Sequence, residues 1–236
     1  MAAPKRSLIG VVGGMGPLAS AAFLTSIYDV GLRTPEQTSP RVVLWSDPEV
    51  LDRTDAIENS HVDELGRAIE RSVEALLGVG AARVLVACVS AHSAFGALPV
   101  RLATRCVSLV NLVFDEVASL RTNHLLLTTR GTHQARVFES HPRWSELGKH
   151  FTLLDPAHLD ELHGQIYALK AGGAPDSAML TIRGLLDAYQ TPSFIAACTE
   201  LHIVTRAIRR DPGSHGLLPH VDPLWTAAHL VAGDQL

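Results

Sequence analysis

The chain has 236 residues, 47% of them hydrophobic and 19% charged, with a formal net charge of −4. That apolar share excludes a disordered chain, and three cysteines are too few for a disulfide scaffold. With 20 basic residues against 24 acidic ones there is no spare positive field for a nucleic-acid groove. The length allows one large domain or two small ones, with an aliphatic interior of the α/β kind.

The first apolar stretch, residues 8–24, follows Lys5 and Arg6 and superficially has the layout of a secretory leader. Gly13, Gly14, Gly16 and Pro17 interrupt it. It therefore reads as a strand over 8–12, a glycine turn and a helix start. No other run reaches membrane-spanning length without charges, and an odd number of thiols fits the reducing cytoplasm. Further apolar runs at 42–45, 84–87, 107–110, 125–128, 151–154 and 194–197 predict buried strands. Residues 62–77 carry Val62, Leu65, Ile69, Val73, Leu76 and Leu77 at helical spacing, and 159–169 and 178–188 read similarly. Strands alternating with helices predict an α/β fold whose parallel sheets are covered on both faces.

An internal match is more informative. Residues 84–92 and 194–202 each give an apolar strand, then Ala-Cys, then His four residues beyond the cysteine, at an offset of 110 (88 to 198). A second pair, 8–14 against 125–131, recurs at an offset of 117 (8 to 125). Two similar offsets predict two related halves, each with one strand-end turn and one strand-end cysteine. Open parallel sheets bind ligands beyond the carboxyl ends of their strands, so facing halves would bring Cys88 and Cys198 into one cleft. Each cysteine would also open a helix, whose N-terminal dipole favours a thiolate.

Each motif also has a bland reading. Gly13-Gly14-Met15-Gly16-Pro17 has neither dinucleotide nor P-loop spacing, and taken alone is a structural turn. Cys106, inside an apolar segment, reads as an inert core thiol. A zinc site would have only the two histidines at +4 to complete it, and is the minor reading. Arg53, after Asp52, reads as a solvated loop arginine, and Lys170, before Gly172 and Gly173, as a helix C-cap. The three lysines (Lys5, Lys149 and Lys170) lie in no motif that points to a Schiff base.

Together the motifs resemble the aspartate/glutamate racemase family, most closely its cofactor-independent aspartate racemase branch. The resemblance rests on Gly-Gly-Met-Gly-Pro at 13–17, Asp52-Arg53-Thr54, Ala-Cys-x-x-Ala-His at 87–92, and Thr-x-Gly-Thr at 129–132. Lys170-Ala171-Gly172, Ala-Cys-Thr-Glu-Leu at 197–201 and Asp222-Pro223 complete it. It implies two α/β lobes related by a pseudo-twofold axis, residues 1–116 plus 212–236 and residues 117–211, each a parallel sheet flanked by helices, with the active site between them. It implies a frequent homodimer that needs no cofactor, neither pyridoxal phosphate nor metal, and acts on a small acidic amino acid. The cytoplasmic location and the absence of a nucleic-acid or membrane partner are expected from the thiols, charge and hydropathy above. Cys88 and Cys198 would flank the substrate's α-carbon, and Arg53 and Lys170 would hold the distal carboxylate. Met15, Gly16, Val89, Ser90, Thr129, Arg130, Thr132 and Thr199 would make the remaining substrate contacts. Two departures stand out. Val89 replaces the usual Asn after the first cysteine, and Arg130 stands where a small or hydroxylated residue is usual.

The implied chemistry agrees with the residues. Inverting a stereocentre removes a proton from one face and delivers one to the other, which two opposed thiols do if one enters as thiolate. A free cysteine is only about 3% thiolate at pH 7, so helix N-termini are expected to help. Isomerisation or racemisation of another carboxylate, and non-catalytic binding of a dicarboxylate, remain open at this stage.

Overall fold

The computed structural model describes residues 6–33, 35–211, 213 and 218–236. Lys5 and Pro212, a boundary residue of the expected first lobe, lie outside them. The first half runs β1 (Leu8–Gly13), α1 (Pro17–Gly31), β2 (Arg41–Ser46), α2 (Arg53–Glu58), α3 (Val62–Gly78), β3 (Arg83–Val86), α4 (Val100–Ala103), β4 (Cys106–Val107) and α5 (Leu109–Leu120). The second runs β5 (His124–Leu127), α6 (Arg130–Gln134), α7 (Trp144–Leu147), β6 (Phe151–Thr152), α8 (Pro156–Lys170), α9 (Pro175–Ala188), β7 (Phe194–Ala196), α10 (Leu201–Arg210), β8 (His220–Val221) and α11 (Pro223–Ala232). All pairings are parallel, in the orders β2-β1-β3-β4 and β6-β5-β7-β8. The expected two-sheet α/β architecture is present, and the second sheet repeats the order of the first.

Strand alternation sorts the side chains. Ile9, Val11, Leu85, Ala87, Leu126, Ile195 and Ala197 face one continuous core shared by both sheets. Their neighbours Val84, Val86 and Cys88 face the core beneath α3, and Phe194, Ala196 and Cys198 that beneath α8, α9 and α10. A period of two therefore puts both cysteines on equivalent faces of equivalent strands. Since both sheet faces are covered, the strands are apolar almost throughout.

Element boundaries differ from the sequence reading for local reasons. Leu109 and Val110 are helical because the Ser108 hydroxyl accepts from Asn111 N and caps α5, ending β4 at Val107. Helix α8 starts at Pro156, with Asp155 as its cap, and α9 starts at Pro175. Strand β6 stops at Thr152, and the two-residue β8 is too short to show a period. The segment expected to return whole to the first lobe is divided. Strand β8 pairs with β7 in the second sheet, whereas α11 packs along α1 of the first half and against α5. Helix α5, conversely, buries Phe114 against Phe138 and Phe151 of the second half. Among the described residues no helix is long and apolar enough to cross a membrane.

A buried polar network ties the pieces together. His202 Nδ1 lies 2.6 Å from Asp222 Oδ2, and His202 Nε2 lies 2.8 Å from Ser26 Oγ in α1. Thr205 Oγ1 also donates to Asp222, whose other oxygen caps α11 by accepting from Leu224 N and Trp225 N. Burial would raise the Asp222 pKa, but His202 and these hydrogen bonds hold it well below the ordinary value. Removing one partner of such a buried pair costs about 3–5 kcal/mol, so Asp222→Ala should lower the unfolding free energy by that amount in denaturant titration. A depressed carboxylate stabilises above its unfolded pKa, and the stabilisation is lost as pH falls towards the folded value. Wild-type stability should therefore decline below about pH 4, and the Asp222→Ala variant should lose less over that window.

Candidate active site

Beyond the carboxyl ends of β3 and β7, Cys88 and Cys198 line one cavity with Met15, Arg53, Thr54, Val89, Ser90, Thr129, Lys170, Thr199 and Glu200. The cavity is small, about 10 Å³, room for about one water. An amino acid enters only if the halves or the lining side chains move apart. Larger clefts, such as the one beside Trp45 and Arg71, contain neither cysteine.

The backbone aims each cysteine at the end of its strand. Cys88 precedes a 3₁₀ turn, Ser90–Ala97, and Cys198 precedes α10. The two following histidines serve as anchors. His92 Nδ1 donates to Cys88 O at 3.0 Å while its Nε2 accepts from Leu109 N at 3.1 Å. His202 is turned away into the network with Ser26 and Asp222. Neither histidine ring nitrogen is directed at a cysteine sulfur, so the zinc reading loses its ligands.

The two thiols meet different charges. Cys198 Sγ donates to Glu200 Oε2 at 2.9 Å, and both residues are buried. Burial first, then the Glu200 charge and this hydrogen bond, push the Cys198 thiol far above its ordinary pKa, against the pull of Lys170. Burial also raises Cys88, but there the Arg53 guanidinium opposes it more strongly than Glu200 adds to it. The expectation that helix N-termini leave a thiolate-prone pair is thus corrected. In this closed cavity desolvation outweighs the backbone amides.

Cations enter from two elements. Arg53 opens α2, its Nη1 and Nη2 held by Leu51 O at 3.1 Å and Met15 O at 2.9 Å. It is 8% exposed, a buried residue and not a solvated loop arginine. Lys170, instead of capping its own helix, reaches across to Asp52 Oδ2 at 3.1 Å and lies over the Tyr167 ring. Burial would raise Asp52, but the Tyr167 hydroxyl, Lys170 and Arg53 hold it at about 2. Arg53 Nε, Thr199 Oγ1 and Glu200 Oε1 have no hydrogen-bond partner among the described residues. All three belong to residues that line the cavity.

The sequence profile of Asp/Glu/Hydantoin racemases matches residues 12–231. The chain belongs to that family. Its fold is similar to Picrophilus torridus aspartate racemase, with a TM-score of 0.78 at 23% identity over 96% of this chain and 94% of that one. An aspartate racemase homologue of Pyrococcus horikoshii gives a TM-score of 0.67 at 16% identity, over 97% and 98% of the two chains. A glutamate racemase isoform of Bacillus anthracis gives 0.63 at 14% identity, over 97% and 81%.

Of the residues that the family resemblance singled out, Met15, Arg53, Val89, Ser90, Thr129, Lys170 and Thr199 line the cavity with both cysteines. Thr132 stands behind it, 2.7 Å from Ser90 Oγ and 3.0 Å from Thr129 Oγ1, in a triangle of hydroxyls joining the two halves. Val89 also packs into the shared core. Arg130 is not brought in. Its exposed side chain pairs with Glu58 at 3.4 Å and Asp160 at 3.5 Å, so it adds no cation to the cavity. Two lining residues were missed, Thr54 and Glu200. Glu200 had a signal, since the offset of 110 makes it the counterpart of Ser90.

The glycine turn is shaped by these neighbours. Gly14 has φ +87, and a Cβ there would lie 2.3 Å from the Asp47 backbone. Gly16 has ordinary extended angles, φ −113 and ψ 130, yet a Cβ would lie 2.4 Å from Glu200 Oε1. Gly16→Ala should therefore displace the Glu200 carboxylate, with a stability cost in denaturant towards or below about 1 kcal/mol because a flexible side-chain end can give way. A crystal structure of the variant should show Glu200 displaced from Cys198. Survival of the Cys198–Glu200 hydrogen bond would mean that the turn backs away instead.

Proposed function

We propose that the protein is a cofactor-independent racemase of an acidic amino acid, aspartate first, with Cys88 and Cys198 as its acid/base pair. The observation that carries this reading is the meeting of two strand-end cysteines, from equivalent strands of two repeated sheets, in one cavity with Arg53 and Lys170. One thiolate takes the α-proton, and the opposite thiol returns a proton to the other face of the carbanion. Arg53 and Lys170 supply positive charge for a distal carboxylate, with Lys170 exchanging Asp52 for the substrate. Hydroxyls of Ser90 and Thr199 and the amides that open the two helical turns offer hydrogen bonds to the developing charge on the α-carboxylate. Closure around the substrate strengthens each of these contacts by excluding water.

Incubation with L-aspartate or D-aspartate in deuterium oxide should give deuterium at Cα and the opposite enantiomer. Cys88→Ala and Cys198→Ala should each lower racemisation by at least about 10²-fold, as expected for a lost acid or base. Near wild-type racemisation by either variant would sink the two-thiol mechanism. Exchange with a different carboxylate but not with aspartate would keep the chemistry and change the substrate.

Lys170→Ala tests the carboxylate contact. A charge-assisted hydrogen bond is worth about 1.5–3 kcal/mol, so kcat/KM for aspartate should fall roughly 10- to 150-fold. Alanine, which lacks the distal carboxylate, should be a poor substrate in both forms. Equal losses for aspartate and alanine would assign Lys170 to holding Asp52 instead.

A further inference from the structure

The repeat that makes the cysteines equivalent does not make their neighbours equivalent. At the offset of 110, Ser90 in the first half corresponds to Glu200 in the second. Ser90 turns its hydroxyl to Thr129 and Thr132 of the β5–α6 turn. Glu200 instead directs one oxygen to the Cys198 sulfur at 2.9 Å and the other towards Gly16 of the β1–α1 turn. Only glycine at 16 leaves room for that carboxylate. The Glu200 carboxylate thus sits between Cys198 of its own half and Gly16 of the opposite half.

A thiol and a carboxylate at hydrogen-bond distance share one proton. A thiol is intrinsically the weaker acid of the two, which puts the proton on sulfur. A thiolate at Cys198 would lose this hydrogen bond and place two negative charges together in a cavity with little water. The charged groups acting on Cys198 are Glu200 at the start of α10 and Lys170 at the end of α8. Lys170 is itself held by Asp52. Cys88 faces Arg53 of α2, with Glu200 and Lys170 as weaker influences.

Resting on the proposed two-thiol chemistry, we propose that Glu200 is a positioning residue that keeps Cys198 as the proton-bearing thiol of the free enzyme, leaving Cys88, beside Arg53, as the partner that starts turnover as base. In the first half-cycle the Cα–H bond breaks and its proton forms the Cys88 S–H. The Cys198 S–H bond then breaks, and that proton goes to the opposite face of Cα. Cys198 is left as a thiolate beside Glu200, the unfavoured form. The resting form returns by a net proton transfer from Cys88 to Cys198 through solvent, or by turnover of the opposite enantiomer. The bias divides the two directions unequally between kcat and KM. Because the enantiomers are equal in energy, their kcat/KM values stay equal.

The test is cysteine-resolved alkylation of the free protein by iodoacetamide, followed by mass spectrometry from pH 6 to 10. The pH dependence at each sulfur reports its thiolate fraction, whereas the absolute rate also reports access. In wild type, alkylation of Cys88 should rise at lower pH than that of Cys198. A separation of one pH unit corresponds to about a tenfold difference in thiolate at fixed pH. Glu200→Gln, of nearly the same shape, should bring the Cys198 profile down by about one pH unit or more and shift Cys88 less. In steady state it should change the ratio of the two kcat values while the kcat/KM ratio stays at unity. Coincident wild-type profiles, or a folded Glu200→Gln variant with the Cys198 profile unmoved, would overturn the proposal. If Glu200→Gln does not fold, the order of the two wild-type profiles decides. The alkylation result does not depend on racemisation, so failure of the proposed function would show separately as absent deuterium exchange.

Discussion

The contact on which most of this structure depends is the fully buried carboxylate of Asp222. It joins the imidazole of His202 and the hydroxyl of Thr205 in α10 to the first amides of α11, and through His202 it reaches Ser26 in α1. One anion therefore connects α10, which follows Cys198, with α11 and with α1 of the opposite half. Buried charge is costly unless every lone pair is used, and here both carboxylate oxygens are engaged. His202 is four residues beyond Cys198, so the same network fixes the turn that presents Cys198, Thr199 and Glu200. The counterpart His92 does this more simply, with one ring nitrogen on the Cys88 carbonyl and the other on the Leu109 amide. The repeated histidine is a positioning device in both halves, achieved through different partners.

The exchange of α5 and α11 between halves has the same effect on a larger scale. Each helix leaves the last strand of one sheet and covers apolar surface that includes the other half. The core that results contains Phe23 and Ile27 of α1 together with Phe138 and Phe151 of the second half. Two sheets linked this way share one interior, so the cavity at their common strand ends is walled by both halves. The walls also close tightly. Desolvation then raises both thiols, which works against the base role proposed for them unless charge is supplied. Arg53 supplies it to Cys88, while Glu200 withholds it from Cys198. Burial is thus opposed at Cys88 and reinforced at Cys198, while both thiols stay above their ordinary value.

Cations in the site are held before a ligand arrives. Arg53 spends its two terminal nitrogens on main-chain carbonyls, and Lys170 is paired with Asp52. Under the proposed function, an incoming carboxylate would take the place of Asp52 on Lys170. The Asp52 carboxylate also caps α2 and accepts from Tyr167, so it retains partners when the lysine turns away. The Lys170 charge is in this way paired with an internal anion and not left bare beside the cavity.

The sequence by itself determined the alternation of strands and helices, the two-half repeat and the equivalence of Cys88 and Cys198. These are local or periodic properties: apolar runs mark strands buried on both faces, and the offset of 110 carries the same strand-end turn twice. Asp-Pro at 155–156 and 222–223 starts a helix in each case through cap chemistry that involves only neighbouring residues, a local signal that the reading of 159–169 as a helix leaves unused. Tertiary structure decided what each cysteine faces. Glu200 reads in the sequence as a polar residue two beyond a cysteine, and only the fold shows its carboxylate on the Cys198 sulfur, in space that Gly16 of the other half leaves free. Arg130 reads as a possible cavity cation, yet Glu58 and Asp160, distant in sequence, draw it to the surface. The division of the last segment between β8 and α11 was equally hidden, because a two-residue strand has no period and its partner is chosen by the sheet. Periodicity fixes which face a side chain occupies; the charges it meets there come from segments far along the chain, and their arrival is a property of the folded whole.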